Sequence, residues 1–245
     1  MMRLQRDLGW LKALADLLFP PHCLGCGAAL AATVPPLFCR TCQDDLPWIT
    51  PPLCICCGTP FQAGASHLCG ACLVKAPAFN LARSLFRYQD PLRSHILALK
   101  FQRDLALLPS LVALCGQAVV YTELTEPDYM VPVPLHPIRL RERGFNQALH
   151  LARSCFPQWQ DRIAPQLLLR LEHSPPQTSL GGRARRRNLH GVFSVAKGVQ
   201  LAGKKVLLVD DVFTTGTTVE ACSQALHEAG AARIEVLTLA RSVVR

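Results

Sequence analysis

Residues 206–218, with the sequence VLLVDDVFTTGTT, constrain the fold of this chain more than any other stretch. Four aliphatic residues run into two adjacent carboxylates, Asp210 and Asp211, and a threonine-rich turn follows before a helical pattern begins at Val219. An apolar run that ends in turn residues predicts a buried strand. In open α/β sheets, ligands bind at the carboxyl ends of such strands. The stretch therefore predicts a strand–turn–helix unit with a ligand site at the turn.

The turn after this strand has the chemistry of an anion site. Backbone N–H groups can converge on an anion at the helix N-terminus, helped by threonine hydroxyls and the helix dipole. The loop residues that we expect to take this role are Thr214, Thr215, Gly216, Thr217 and Thr218. Asp210 and Asp211 suit paired sugar hydroxyls or a hydrated Mg²⁺, which prefers oxygen ligands. Together these groups describe a sugar phosphate, whereas an acidic pair that only caps a helix would need just one of them.

Eight cysteines in four CxxC pairs form the second strong signal. Two CxxC pairs separated by about a dozen residues have the spacing of a tetrahedral all-cysteine zinc site. We expect two structural zinc ions, one held by Cys23, Cys26, Cys39 and Cys42 and the other by Cys54, Cys57, Cys69 and Cys72. An interleaved pairing is also open, because Cys56 is surplus and His22 or His67 could replace a sulfur ligand.

The alternative for these cysteines is a disulfide framework, which needs an oxidising compartment. The N-terminal stretch does not favour export, because charged residues such as Arg6, Asp7 and Lys12 interrupt the apolar core of any signal peptide. Its leucines fall near helical spacing and predict an amphipathic helix. No apolar run reaches the roughly 18 residues needed to span a bilayer. The sequence therefore predicts a cytoplasmic protein with zinc-bound thiolates and no membrane span.

Composition changes near residue 75 and predicts two units. Residues 1–75 hold the paired cysteines, turn prolines and little periodic pattern, so bound metal has to supply much of their stability. Residues 76–245 alternate strand and helix patterns, which predicts an α/β fold with a mostly parallel sheet and helices on both faces. The expected strands are 81–89, 129–135, 189–195, 206–209 and 233–240. The expected helices include 91–101 and 146–155, with an arginine-rich loop before the second of these.

The 206–218 stretch resembles the 5-phosphoribosyl 1-diphosphate (PRPP) binding loop of type I phosphoribosyltransferases. That loop has an aliphatic strand, two acidic residues and a Thr-Thr-Gly-Thr-Thr turn. Pro132–Leu135 and Arg141–Gln147 resemble the pyrophosphate-side segment of the ComF-like proteins, a branch of that superfamily linked in bacteria to DNA uptake and use. Residues 170–195 resemble the flexible hood of the same family, whose members also carry an amino-terminal zinc module.

This resemblance implies a type I phosphoribosyltransferase-like fold and gives roles to individual residues. Asp210 and Asp211 would hold the ribose hydroxyls of PRPP, and Arg143 with Mg²⁺ would hold the leaving pyrophosphate. Residues 214–218 would bind the 5-phosphate, and Arg141 would also contact PRPP or a related phosphorylated sugar. The hood residues in the expected places include Gln177, Arg187 and Asn188. Independently of the resemblance, guanidinium groups suit phosphate oxygens, so the arginines around residue 141 favour the same kind of ligand.

The overall charge only partly restricts the classes of molecule that the chain can bind. A formal net charge of +9 and a pI near 9.1 fit phosphorylated ligands and nucleic acid equally well. Aromatic residues make up only 7% of the chain and form no evident platform for stacking bases, which disfavours a dedicated single-strand binder.

Three functions remain open at this stage. The first is an active phosphoribosyltransferase, a glycosyltransferase whose acceptor the sequence does not identify. The second is a noncatalytic PRPP sensor. The third is a DNA-handling component of the uptake machinery, with single-stranded DNA or DNA-uptake proteins as partners and the zinc ribbons as docking modules. The fold does not separate these functions, because function depends on the site.

Overall fold

A computed structural model describes residues 20–31, 37–99, 107–171 and 191–243 of the protein. The helices are α1 (Arg40–Asp44), α2 (Gly70–Val74), α3 (Leu92–Leu97), α4 (Leu107–Ala113), α5 (Pro137–Arg143), α6 (Gln147–Cys155) and α7 (Thr217–Glu228). The strands are β1 (Leu81–Arg87), β2 (Tyr129–Pro132), β3 (Leu168–Arg170), β4 (Phe193–Val195), β5 (Lys205–Phe213) and β6 (Arg233–Arg241). The amphipathic helix expected before residue 20 lies outside the described residues.

Four strands form a parallel sheet in the order β1-β6-β5-β2. The central pair, β5 and β6, runs in register from Lys205 opposite Arg233 to Phe213 opposite Arg241. Strands β3 and β4 form a separate antiparallel pair. The parallel sheet confirms the predicted α/β class, because parallel neighbours need crossover connections, and these place helices on the faces of the sheet.

Side chains of β5 alternate between two apolar layers. Leu207 and Val209 join one layer, which holds residues of α3 and α6. Val206 and Leu208 join the other, which holds residues of α7, β3 and β4. Because both faces of the strand are covered, its sequence reads as a continuous aliphatic run. Helices on both faces of the sheet were predicted, and the two layers confirm them.

The cysteine-rich segments pack on the sheet rather than apart from it. Cys23 and Phe38 belong to the layer with α6, whereas Cys54 and Cys57 belong to the layer with α7. Between them, residues 47–49 run antiparallel along the edge strand β1. Backbone hydrogen bonds join Ile49 N to Leu85 O at 2.9 Å and Arg87 N to Pro47 O at 2.7 Å. This segment covers an edge strand whose backbone groups would otherwise be open to pairing.

Several predicted bounds differ from the observed ones. The arginine-rich loop is wrong, because residues 137–143 form the helix α5, which begins with Pro137 at its first position. The strand expected at 129–135 ends at Pro132. The described part of the strand expected at 189–195 begins at Phe193, and it pairs with β3 instead of joining the parallel sheet. Within the described residues, no helix is both long and apolar enough to cross a membrane.

The edge segment yields a test of stability. Ile49 is 1% exposed in the shared core, and Ile55 is 51% exposed. We expect Ile49→Ala to lower the free energy of unfolding by about 2–5 kcal/mol, because it removes buried methyl groups and leaves a cavity. Ile55→Ala should change it by about 0.5 kcal/mol or less. Urea unfolding of both variants at saturating zinc measures the difference, and equal losses would contradict the role of the edge segment.

Candidate functional site

Two groups of four cysteines bring their sulfur atoms together. The first is Cys23, Cys26, Cys39 and Cys42, the second is Cys54, Cys57, Cys69 and Cys72, and the Sγ atoms within each group lie within 4.8 Å of one another. Cys26 Sγ is 3.8 Å from Cys39 Sγ, and Cys57 Sγ is 3.7 Å from Cys69 Sγ. Tetrahedral zinc with Zn–S bonds of about 2.3 Å requires sulfurs about 3.8 Å apart. The sulfurs group as the pairing by sequence neighbours requires, and the geometry fits structural zinc.

Backbone amides prepare one sulfur in each group for metal binding. Cys23 Sγ accepts hydrogen bonds from Gly25 N at 3.4 Å and Cys39 N at 3.2 Å. Cys54 Sγ accepts from Cys57 N at 3.4 Å and Cys69 N at 3.3 Å. Burial opposes ionisation of both thiols, but these donors outweigh it and lower the pKa of each to about 6. The donors thus favour the thiolate, which is the form that binds zinc.

The three surplus candidates lie outside both groups. Cys56 Sγ points to the carbonyl of Phe79 at 3.8 Å. The ring of His67 stacks on Phe61 with centroids 4.2 Å apart, and its Nδ1 lies 2.8 Å from Ala65 O. His22 pairs through its backbone with Ala29. None of the three replaces a cysteine in either tetrad.

The acidic pair lies on β5 and not in the turn after it. The strand was expected to end at Val209, but it continues through both carboxylates to Phe213, with Asp210 opposite Thr238 of β6. Asp211 N donates a hydrogen bond to Asp210 Oδ1 at 2.8 Å. Pairing with β6 extends the strand past its aliphatic run, and the two carboxylates therefore stand on rigid backbone near the carboxyl edge of the sheet.

The threonine-rich loop connects β5 directly to α7. Gly216 has a φ of 75°, in the left-handed region, and precedes the first helical residue, Thr217. A Cβ at Gly216 would lie 2.6 Å from Cζ of Phe213, so both the backbone conformation and the space require glycine. The hydroxyls of Thr215 and Thr217 lie 2.6 Å apart. The loop therefore presents hydroxyls and helix N-terminal amides at the end of the strand that carries the acids.

Arg143 approaches Asp211 from helix α5. Gly144, with a φ of 81°, ends this helix, and Asn146 caps α6 by accepting a hydrogen bond from Ala148 N at 2.9 Å. Arg143 Nη1 lies 3.4 Å from Oε1 of the buried Gln147. Burial lowers the pKa of Arg143, and the charge of Asp211 opposes that change. The short turn between two helices thus holds a half-buried cation beside one of the two acids.

A further arginine, Arg170, lies near Asp210. Burial and the charge of Arg139 lower the pKa of Arg170, whereas Asp210 acts in the opposite direction. Arg170 ends β3, and its guanidinium lies 5.6 Å from the ring centre of Phe193. Arg170 begins the stretch that resembles the hood, but its position near Asp210 was not predicted, because only the packing of β3 brings it to residues distant in sequence.

The structure does not bring every predicted residue to the acidic pair. Arg139 and Arg143 are four positions apart and share one face of α5. Arg141 lies between them and is exposed, so it faces away from that side. The hood residues Gln177, Arg187 and Asn188 lie outside the described residues. Arg141 and the hood contacts therefore remain predictions from resemblance.

The chain is similar to known proteins over most of its length. Residues 14–73 match the family Double zinc ribbon domain, and residues 176–243 match the family Phosphoribosyl transferase domain. Competence protein F of Haemophilus influenzae is 34% identical over 212 residues, which cover 83% of this chain and 90% of that protein. DNA utilization protein YhgH of Escherichia coli K12 is 36% identical over 200 residues, which cover 78% and 85%. Competence protein ComFC of Bacillus subtilis is 28% identical, with 83% and 84% covered.

The two tetrads predict a metal content that distinguishes neighbouring cysteines. Purified protein should carry about two zinc ions per chain. Cys54→Ser should leave about one, because it removes a ligand, and Cys56→Ser should leave about two, because its thiol is outside both tetrads. Elemental analysis of the three proteins gives the counts. A wild type without zinc, with the tetrad cysteines oxidised in pairs, would contradict the metal sites.

Proposed function

The chain belongs to the ComF-like family of competence and DNA utilization proteins, and we propose that it binds PRPP with Mg²⁺ in a pathway of DNA uptake or use. One observation carries this proposal. Asp210 and Asp211 stand on β5 immediately before the threonine-rich loop that begins α7. A ligand with hydroxyls at one end and a phosphate at the other matches this order of groups. The arginines on both sides of the acids supply charge for a second phosphate group.

The loop from Thr214 to Thr218 binds the 5-phosphate of the ligand in this proposal. The first-turn amides of α7 and the threonine hydroxyls donate hydrogen bonds to phosphate oxygens, and the helix dipole favours the negative charge. Gly216 sets the turn into the helix, since its φ of 75° and the ring of Phe213 both exclude a side chain there. The phosphate therefore lies at the amino end of the helix, next to the acids.

Asp210 and Asp211 bind the sugar in this proposal. Carboxylate oxygens accept hydrogen bonds from the ribose hydroxyls and suit Mg²⁺, which prefers oxygen ligands. When bound, Mg²⁺ neutralises charge on the pyrophosphate. Arg143 lies on the Asp211 side and can pair with pyrophosphate oxygens through its planar fork. Arg170 and Arg139 supply positive charge on the Asp210 side.

Catalysis at this site would be a displacement at the anomeric carbon. A bond forms from the acceptor nucleophile to that carbon, and the bond to the pyrophosphate oxygen breaks. Positive charge develops on the sugar as the pyrophosphate leaves, and Asp210 and Asp211 stabilise it electrostatically. A noncatalytic PRPP sensor would use the same binding contacts without an acceptor.

Simple docking of DNA is less well supported by the geometry. Two carboxylates beside a phosphate loop would repel a nucleic acid backbone, and a protein that only binds DNA gains nothing from them. The link to DNA comes from family membership, since the relatives are named for competence and DNA utilization. We therefore propose that the DNA role requires an intact sugar-phosphate site.

Ligand binding can be tested through thermal stability. At a concentration about a hundred-fold above Kd, PRPP with Mg²⁺ should stabilise the fold by about 2.7 kcal/mol. For a chain of this size the expected rise in Tm is roughly 5–10 °C. The double variant Asp210→Asn, Asp211→Asn should lose this rise, because it removes charge and acceptor atoms. The matched control Asp44→Asn, Asp45→Asn changes an exposed acidic pair at the end of α1, away from the phosphate loop, and should keep it. Equal rises in all three proteins would make the Asp210–Asp211 pair structural.

The DNA role can be tested genetically. In a bacterium that lacks its own ComF-like protein, wild-type protein should restore transformation or growth on DNA, and the Asp210→Asn, Asp211→Asn variant should not. Immunoblots must show equal amounts of both proteins. Full rescue by the variant would contradict a role for the sugar-phosphate site and favour docking. Absence of rescue by the wild type would argue against the DNA role.

A further inference from the structure

Two buried arginines connect the second ribbon, residues 53–74, to the sheet. Arg83 of β1 is 4% exposed and Arg241 of β6 is 5% exposed. Arg83 donates to the carbonyls of Cys54 and Ile55, each at 3.4 Å, and forms an ion pair with Glu123 at 2.5 Å. Buried guanidinium groups are costly unless they are paired and hydrogen-bonded. If the second ribbon moved away from the sheet, these buried guanidinium groups would lose hydrogen-bond partners.

Arg241 makes the closer approach to the metal ligands. Its guanidinium donates to the carbonyl of Cys57 and to Thr59 Oγ1, the latter at 2.9 Å. Its Nε is buried without a hydrogen-bond partner among the described residues. Because zinc with four thiolates carries a net negative charge, a metal-loaded second ribbon stabilises the buried cation.

The ring of Phe213 connects the same guanidinium to the phosphate loop, residues 214–218. Arg241 Cζ lies 4.7 Å from the ring centre of Phe213, a cation–π distance. The ring also occupies the space beside Gly216, where an added Cβ would meet Cζ at 2.6 Å and Cε1 at 2.8 Å. A displacement of Arg241 would therefore remove one of the contacts that position the ring beside the loop.

A second contact joins the same ribbon to the first turn of α7. Ala78 N, just after the ribbon, donates a hydrogen bond to Glu220 Oε2 at 3.1 Å. The ring of the next residue, Phe79, packs edge-on against Phe213 with centroids 6.3 Å apart. Residues 78–79, which follow the second ribbon, thus contact both the ring of Phe213 and helix α7.

The first ribbon, residues 23–42, contacts other elements. Leu37 N donates to Ser110 Oγ of α4 at 3.1 Å. The ring of Phe38 lies edge-on to His95 of α3, with centroids 5.8 Å apart. These contacts belong to the layer with α6, on the face of the sheet opposite α7. The first ribbon therefore packs against α3 and α4, whereas the second ribbon packs near Phe213 and α7.

We propose that the second ribbon, when loaded with metal, fixes the phosphate loop in its anion-binding conformation through Arg241 and Phe213, and that the first ribbon does not. The effect on PRPP affinity rests on the proposed function, whereas the effect on the conformation of the loop does not. Arg241 and Phe213 are positioning residues, because they act on Gly216 and its neighbours. Loss of zinc from the second site frees the Cys57 carbonyl and the Thr59 hydroxyl from the positions in which they hold Arg241, and this lets the ring and the loop move.

Matched cysteine variants separate the two ribbons. Cys42 and Cys72 occupy the same position in the short helices α1 and α2. Cys42→Ser and Cys72→Ser should each leave one zinc site. Hydrogen exchange of backbone amides, followed by mass spectrometry of the peptide spanning 213–220, reports the loop without any ligand. We expect exchange about ten-fold faster in Cys72→Ser and unchanged in Cys42→Ser. Equal exchange in the two variants would overturn the proposal.

Matched arginine variants test the route while both zinc ions stay bound. Arg241→Lys keeps a positive charge but loses the planar fork over Phe213, so the loop should again exchange faster. Arg83→Lys changes an equally buried arginine under the same ribbon, without the contact to Phe213, and should leave the loop unchanged. Zinc content and far-UV circular dichroism identify any variant that is misfolded. Equal loop exchange in both lysine variants would mean that any change at a buried arginine loosens the ribbon, and it would contradict a coupling through Arg241 and Phe213.

Calorimetric titration of PRPP with Mg²⁺ completes the test. Affinity should fall at least ten-fold in Cys72→Ser and Arg241→Lys, and by less than two-fold in Cys42→Ser and Arg83→Lys. A wild type that binds no PRPP would contradict the proposed function, while the exchange data would still decide the coupling. Unchanged affinity in Arg241→Lys, with wild-type binding intact, would overturn the coupling and leave the proposed function standing.

Discussion

The burial of β5 and β6 between two apolar layers is the interaction on which the rest of the structure depends. Alternate residues of β5, such as Leu207 and Leu208, belong to different layers, so both faces of the sheet need cover. Helices supply part of that cover, and each cysteine-rich ribbon supplies more on its own face. The ribbons are too small to bury much apolar surface alone, and their attachment to the layers and to bound metal compensates for that.

The position of the candidate site is set by the point at which β5 extends beyond these apolar layers. Asp210 and Asp211 lie past its aliphatic run, near the carboxyl edge of the sheet, where open α/β sheets bind ligands. The charge of Asp211 acts on Arg143 from α5, whereas that of Asp210 acts on Arg170 from β3. The two acids are thus approached by cations from different elements. A site of this kind can bind a ligand that carries both hydroxyls and phosphate.

The chemistry of the two ribbons is nearly the same, but their surroundings differ. Each gathers four sulfurs at spacings that suit zinc, and each provides amide donors to one thiolate. Within the described parts of the chain, the second ribbon and not the first contacts Arg241, whose guanidinium also lies over the ring of Phe213 beside Gly216. A duplicated structural module can therefore differ in function through a single buried contact.

The sequence by itself determined the local units, because their signals are short in range. The CxxC spacings predicted the two cysteine tetrads that the structure brings together, and the aliphatic run before Asp210 predicted the central strand. Local patterns could not show that pairing with β6 extends this strand to Phe213, or that residues 137–143 form a helix with Arg141 on its exposed side. Only the tertiary structure brought Arg170 to Asp210 and Arg241 to the second ribbon. Those contacts join residues far apart in the chain, and packing of the layers, which no local pattern records, decides them.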